Sequence, residues 1–333
     1  MKKNKVFYLY ACCIPVKGSQ RSLIMDIQRN NFYFIPNVLF EILTKYRTKS
    51  INKIKKIYQQ EQAIDDFFDF LIKKECGLFM NSLSVFPKMD TGYQSPYLIT
   101  NAIIETDRRS QHNYTNIFAQ LSNVNCIAIE MRFYDFIALQ DLIKIVAQTY
   151  DSTFRTVNIF LPYSAEYEQD AMKEFLLQNA RVQHLIIYNA PQFIFTEEEQ
   201  NSSCLEYVPY TMDGSCGHVS PRYFRANREM LCESINRNNC LNRKVCICKD
   251  GSIRNCPAMV QQFGNIATCD LKHVITQKTF TKLWNINKDK ISVCSDCEFR
   301  YMCHDCRAFI TDSNNIYSKP KKCNYDPYTT AWN

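Results

Sequence analysis

Along residues 97–195, apolar and polar positions fall into strand-like and helix-like stretches that alternate. Tyr97–Glu105, Cys126–Met131, Thr156–Leu161 and His184–Tyr188 read as strands, while Tyr114–Leu121, Ile137–Tyr150 and Ala165–Gln178 carry helical periodicity. Strand–helix alternation at this spacing predicts βα units on a parallel sheet, and the chain is assigned to the α/β class. Residues 1–80 follow another order. Strands are expected at Val6–Ile14, Leu23–Gln28 and Phe32–Ile35, with Arg29-Asn30-Asn31 turning between the last two. Pro36-Asn37 opens a helix over Val38–Tyr46. Ser50–Gln60 continues as a basic helix and Ala63–Glu75 as an amphipathic one that ends before Gly77. Residues 81–96, with Pro87, Gly92 and Pro96, read as a linker, and 196–239 as a connector to a cysteine-rich region, 240–333.

Cysteine dominates that last region. Thirteen of the 17 cysteines lie from Cys204 onward, which suits a local metal site better than a chain-wide disulfide scaffold. Cys294-x2-Cys297-x5-Cys303-x2-Cys306 forms its centre, with Cys240, Cys246, Cys248, Cys256, Cys269 and Cys323 around it. A C-x2-C turn folds two sulfurs to one side, and soft thiolates select zinc or iron–sulfur clusters over hard cations. Clustered thiolates also point to a reducing, cytoplasmic compartment. The four cysteines of the centre alone could make a compact zinc site, so spacing leaves the metal open.

Composition narrows the remaining classes. A formal charge of +7 over 333 residues permits acidic partners without identifying nucleic acid. No apolar run reaches the ~20 residues of a membrane span, and Tyr8 and Tyr10 argue against a secretion signal before Cys12. With seven glycines and neither a P-loop nor a dinucleotide fingerprint, nucleotide enzymes of those kinds are excluded. His112, His184, His218, His273 and His304 stand in no recognisable Cys/His or Ser/His constellation, and no catalytic residue is assigned. His304, between Cys303 and Cys306, is the one histidine placed to substitute for a thiolate.

The outer spacing, Cys240-x10-Gly251-x4-Cys256 followed by the 294–306 centre and Cys323, resembles the SPASM domain of radical S-adenosylmethionine peptide-modifying enzymes. The strings Asn-Cys-Leu-Asn-Arg-Lys (239–244), Asn-Cys-Pro-Ala-Met (255–259), Cys-Glu-Phe-Arg-Tyr-Met-Cys (297–303) and Lys-Pro-Lys-Lys-Cys-Asn-Tyr-Asp-Pro-Tyr-Thr (319–329) extend the likeness. Together they resemble the SPASM-domain peptide maturases of grasp-with-spasm systems; Cys216-Gly217-His218 and Cys232-Glu233-Ser234 also look like that family. The resemblance implies two [4Fe-4S] clusters. One would be held by Cys240, Cys246, Cys256 and Cys306, with Cys248 an alternative to Cys246; the other by Cys294, Cys297, Cys303 and Cys323. It also implies a precursor (leader) peptide and an ATP-grasp ligase as partners. Residues 1–80 are similar in pattern to the winged-helix leader-recognition module, and 97–195 to an abbreviated, degenerate radical S-adenosylmethionine partial barrel.

The family's defining C-x3-C-x2-C is missing, as is its Gly-Gly-Glu turn; Glu130-Met131-Arg132-Phe133 follows the second barrel strand instead. Reductive cleavage of S-adenosylmethionine is therefore not expected. The sequence reads as a non-catalytic maturation partner for a ribosomally synthesised peptide, without nucleic acid or membrane. The alternatives are a redox enzyme that uses an auxiliary cluster, and a zinc-stabilised peptide-binding scaffold.

Overall fold

The computed structural model describes residues 4–81, 86–198, 202–212 and 216–333. The chain divides into two units, each assembled from separate segments: Met1–Tyr93, Gly217–Asn239 and Asn285–Asn333 in one, Gln94–Cys216 and Cys240–Trp284 in the other. The cysteine-rich stretch from 240 onward is thus shared between both.

In the first unit, β1 (Val6–Leu9) and β2 (Cys13–Val16) replace the single N-terminal strand expected from sequence. A turn in which the Cys13 amide donates to the Tyr10 carbonyl (2.9 Å) breaks the run. β2, β3 (Ser22–Asp26) and β4 (Asn31–Ile35) form an antiparallel meander, and all five residues of β3 are buried. The β3–β4 turn places Asn30 at φ 50°, a left-handed conformation that Asn tolerates. Asp26 steadies this turn by accepting from the amides of Gln28 and Arg29 and from the Arg29 guanidinium (2.9 Å).

Three helices follow, α1 (Asn37–Thr44), α2 (Ile51–Tyr58) and α3 (Glu61–Lys73), burying Leu39, Ile42, Ile54, Ile64, Phe68 and Leu71. The chain then returns in β5 (Gly77–Met80), which the sequence pattern did not reveal, to pair antiparallel with β1. At Gly77 a Cβ would fall 2.2 Å from the Tyr8 carbonyl, so this pairing requires glycine.

The second unit is built on an eight-stranded sheet. β6 (Asn101–Thr106), β7 (Ala128–Phe133), β8 (Thr156–Pro162) and β9 (Val182–Tyr188) alternate with α4 (Tyr114–Asn123), α5 (Leu139–Ala147) and α6 (Gln169–Gln178). β10 (Ile194–Glu198) and β11 (Ser203–Val208) extend one edge, β12 (Lys244–Ile247) and β13 (Ile253–Arg254) the other, in the order β10-β11-β9-β8-β7-β6-β12-β13. The six central strands run parallel; β10 and β13 are antiparallel to their neighbours.

The βα reading holds here, with element ends shifted by a few residues. One face is apolar: Ile104, Ile129, Met131, Val157, Ile159, Leu185, Leu205, Val245 and Ile247 pack with Phe118 and Leu121 of α4, Val146 of α5 and Phe175 of α6. Alternation along the strands puts Glu105, Glu130, Arg132, Asn158 and Cys246 on the opposite face. A parallel sheet covered by helices on both faces would read as continuous apolar runs; this one alternates because its second face carries polar groups. Among the described residues, no helix is long and apolar enough to cross a membrane.

Candidate metal centres

The first unit brings four of the expected ligands together. Cys294, Cys297 and Cys303 are carried by short turns, closed by the amide of Cys297 on Cys294 O (3.1 Å) and that of Cys303 on Phe299 O (3.1 Å). Cys323 follows a turn at Pro320. Val293 leads into the first turn at φ 68°, a conformation that a β-branched residue adopts only under constraint from its surroundings.

The thiols lie close enough to perturb one another. Burial, then Asp305, Cys303 and Cys323, raise Cys294 to about 12, partly opposed by Lys288. Burial first, then Cys303 and Glu298, also raise Cys297. The buried Lys288 ammonium donates to Cys303 Sγ at 2.8 Å and to the His304 carbonyl at 3.1 Å. Burial alone would lower the Lys288 pKa, but Cys303 and Cys294 hold it above the usual lysine value. This set suits a metal that replaces thiol protons. Loading is therefore expected to release protons, with a calorimetric heat that varies with the buffer's ionisation enthalpy and an affinity that falls as pH is lowered.

A buried ion pair supports the same turns. Arg307 donates to Asp305 from Nη2 (2.6 Å) and Nε (3.1 Å), and each side chain is 1% exposed. Asn238 Nδ2 donates to the other Asp305 oxygen at 2.5 Å, and the Asp305 amide donates to Asn239 Oδ1 at 2.9 Å. Asn238 and Asn239 follow helix α7 (Arg228–Asn236), so this bridge ties the cysteine turns to an earlier segment of their own unit. His304 is exposed beside these buried residues. Cys306 is buried, and a Cβ at Gly217 (φ 77°) would stand 3.0 Å from its Sγ.

Of the other expected ligands, Cys306 belongs to the first unit, while Cys240, Cys246 and Cys256 lie in the second and separate into two groups. Cys256 is hydrogen-bonded to Cys216 and also feels Cys240; the Cys216 bond, then burial, pushes its pKa up. Lys244 Nζ lies 4.0 Å from Cys240 Sγ, and that thiol is the main reason its pKa is raised. Cys246 instead pairs with Cys248, their sulfurs 3.7 Å apart. Cys216 is the thiol that spacing did not select; its Cys-Gly-His string was the available signal. Cys269 stands against Gly264, where a Cβ would meet its Sγ at 2.7 Å.

Among the described residues, the groups that gather three ligand atoms within 4.8 Å of one another are Glu105 with Cys246 and Cys248, and Cys12 with Cys13 and Asp26; the Cys294–Cys323 set is more open than this.

No protein-family model matches the chain, and no curated protein matches it. Among solved structures it is similar to Streptococcus suis SuiB bound to precursor peptide SuiA, at TM-score 0.34 and 9% identity over 94% of this chain and 98% of that one. It is also similar to Streptococcus suis SuiB, at TM-score 0.32 and 9% identity over 92% and 95%.

Proposed function

We propose that the chain is a SPASM-type maturation protein for a ribosomally synthesised peptide, holding iron–sulfur clusters and a precursor while an ATP-grasp ligase forms the new bonds. The observation that carries this reading is the set of buried Cys294 and Cys303 with half-buried Cys297 and Cys323, in which Cys303 and Cys323 bear on Cys294 and the Lys288 ammonium donates to Cys303. A cluster bound there supplies one-electron chemistry and a covalent staple between turns. Cys216, Cys240 and Cys256 are the neighbouring thiols we assign to a second centre. Residues 97–195 serve as an abbreviated partial barrel that does not cleave S-adenosylmethionine, and the thiolate-rich sites suit the cytoplasm.

Residues 1–80 are read as a winged-helix-like leader-recognition unit. β2 is an edge strand of its sheet and lines a cavity of about 720 Å³ together with Tyr8, Tyr10, Tyr46, Arg47 and Lys49. An extended peptide adds to an exposed strand by backbone hydrogen bonds, while side-chain pockets set register. Arg47 and Lys49, part of a basic run otherwise readable as a solvated face, would steer an acidic leader.

Deleting residues 1–80 would be a poor test, because Val16, Leu23 and Met25 share a core with Phe299, Met302 and Tyr325. Point variants avoid this. Tyr8→Ala is expected to weaken precursor binding roughly thirtyfold, the loss of a ~2 kcal/mol aromatic anchor, with iron content unchanged. Anisotropy with the labelled precursor and parallel iron and sulfide analysis report both quantities. Unchanged affinity would remove the leader-recognition role; absence of iron and labile sulfide after anaerobic purification would remove the clusters.

A further inference from the structure

The pairing of Cys246 with Cys248 has a geometric cause. Cys246 lies in β12 and Cys248 one residue past its end; residues two apart along an extended run face the same way, so both thiols fall on the side opposite Val245 and Ile247, which belong to the core. Register sets Cys246 beside Ile103 of β6. Glu105, two residues further, faces the same side at the level of Cys248. The two sulfurs and a Glu105 carboxylate oxygen all lie within 4.8 Å of one another, and all three residues are buried. A hydrogen bond between thiols accounts for the sulfurs alone; it gives no reason for a buried carboxylate to join them.

A tetrahedral zinc ion does. With Zn–S bonds of 2.3 Å its sulfur ligands stand about 3.8 Å apart, against the 3.7 Å found between Cys246 and Cys248. Two thiolates and a carboxylate are donors of the zinc class. The Tyr134 hydroxyl donates to Glu105 Oε1 at 2.6 Å, the kind of outer hydrogen bond that orients a ligating carboxylate. Cys248 is fixed in turn, its amide on Ser252 O (2.9 Å) and its carbonyl accepting from Gly251 (2.8 Å).

The group sits at the carboxyl ends of parallel strands β6 and β12, where open α/β sheets bind ligands. A cavity of about 380 Å³ lies alongside, lined in part by His112 and Lys249. His112 Nε2 is 2.8 Å from the Glu105 carbonyl, and Lys249 follows Cys248 in the chain.

We infer that Cys246, Cys248 and Glu105 hold one thiophilic divalent cation of the zinc class, leaving a fourth position for a solvent or ligand atom. This site is separate from the iron centres proposed above, and it claims Cys246, which the SPASM resemblance assigns to a cluster.

The test counts metals in the full-length protein purified anaerobically. One equivalent of zinc is expected beside the iron. Cys246→Ser and Cys248→Ser should each lose the zinc and keep the iron, the iron in the same sample showing that the fold survives. Glu105→Gln should bind zinc at least tenfold more weakly in competition with a chromophoric chelator, and Tyr134→Phe about tenfold more weakly. Co²⁺ in place of zinc should add a thiolate charge-transfer band that Cys248→Ser abolishes. The inference fails if the parent protein takes up no zinc or Co²⁺ at this site. It fails equally if Cys246→Ser removes iron while Cys248→Ser and Glu105→Gln bind zinc like the parent. Because zinc and iron are counted separately, an iron-free protein that keeps its zinc would overturn the cluster reading alone.

Discussion

Replacing Asp305 with alanine should destabilise its unit by about 3–5 kcal/mol, the typical cost of breaking a buried ion pair from one side. Asp305 and Arg307 are each 1% exposed, so water cannot take the place of the lost carboxylate. Arg307 would keep its bonds to the Ile316 and Ser318 carbonyls (3.0 and 2.8 Å) but hold an uncompensated charge. Asn238 would lose the shorter of its two bonds, keeping the one to the Ile286 carbonyl (3.2 Å). Replacing both partners with apolar residues of similar volume should cost far less than the single change, since no buried charge remains. Denaturant unfolding of the metal-free protein measures both variants; a loss below about 1 kcal/mol for Asp305→Ala would show that the pair does not hold these turns.

Lys288→Met should lower metal affinity at the Cys294–Cys323 set by about 10- to 100-fold, the usual effect of losing a group that tunes a ligand. The ammonium lies 2.8 Å from Cys303 Sγ, where it favours the thiolate that a metal requires. Burial, followed by the opposing effect of Lys288, sets the Cys303 pKa, which remains raised overall. Without the lysine, that thiol should climb further and give up its proton less readily. Metal-free stability should change little, because methionine fills a similar volume without a charge to desolvate. Competition with a chelator measures the affinity; a variant that retains metal as tightly as the parent would make the Lys288 contact incidental.

Much of the sheet unit was legible because its strands and helices keep separate periods: the three helices and four strands between 101 and 188 lie where the pattern puts them. The N-terminal strands were harder. Tyr8, Tyr10, Cys12 and Cys13 all suit extended backbone, so nothing local marked the turn at Tyr10–Cys13 that sends β1 to β5 and β2 to β3. β10 was hidden by the acidic run that begins at Glu197, and β12 by its brevity and by Cys246, whose spacing to Cys240 and Cys256 reads as that of a ligand.

The candidate centres divide the same way. Cys294, Cys297 and Cys303 are local turns and could be read from spacing. The closeness of Cys216 to Cys256, and of Glu105 to Cys246 and Cys248, follows from tertiary pairing that no spacing encodes.

The pairing of β12 with β6 also sets a schedule for synthesis. Asn101 leaves the ribosome about 140 residues before its partner Lys244, an interval of roughly 7–30 s at ordinary elongation rates. For that time the β6 edge presents unpaired backbone groups beside a sheet that is already forming, an invitation to the strands of other nascent chains. The residues that cap this edge also bring Cys240, Cys246 and Cys248. Nascent-chain aggregation and failure of metal loading should therefore rise together when translation stalls before residue 240, and chaperones that shield strand edges should relieve the first without supplying the second.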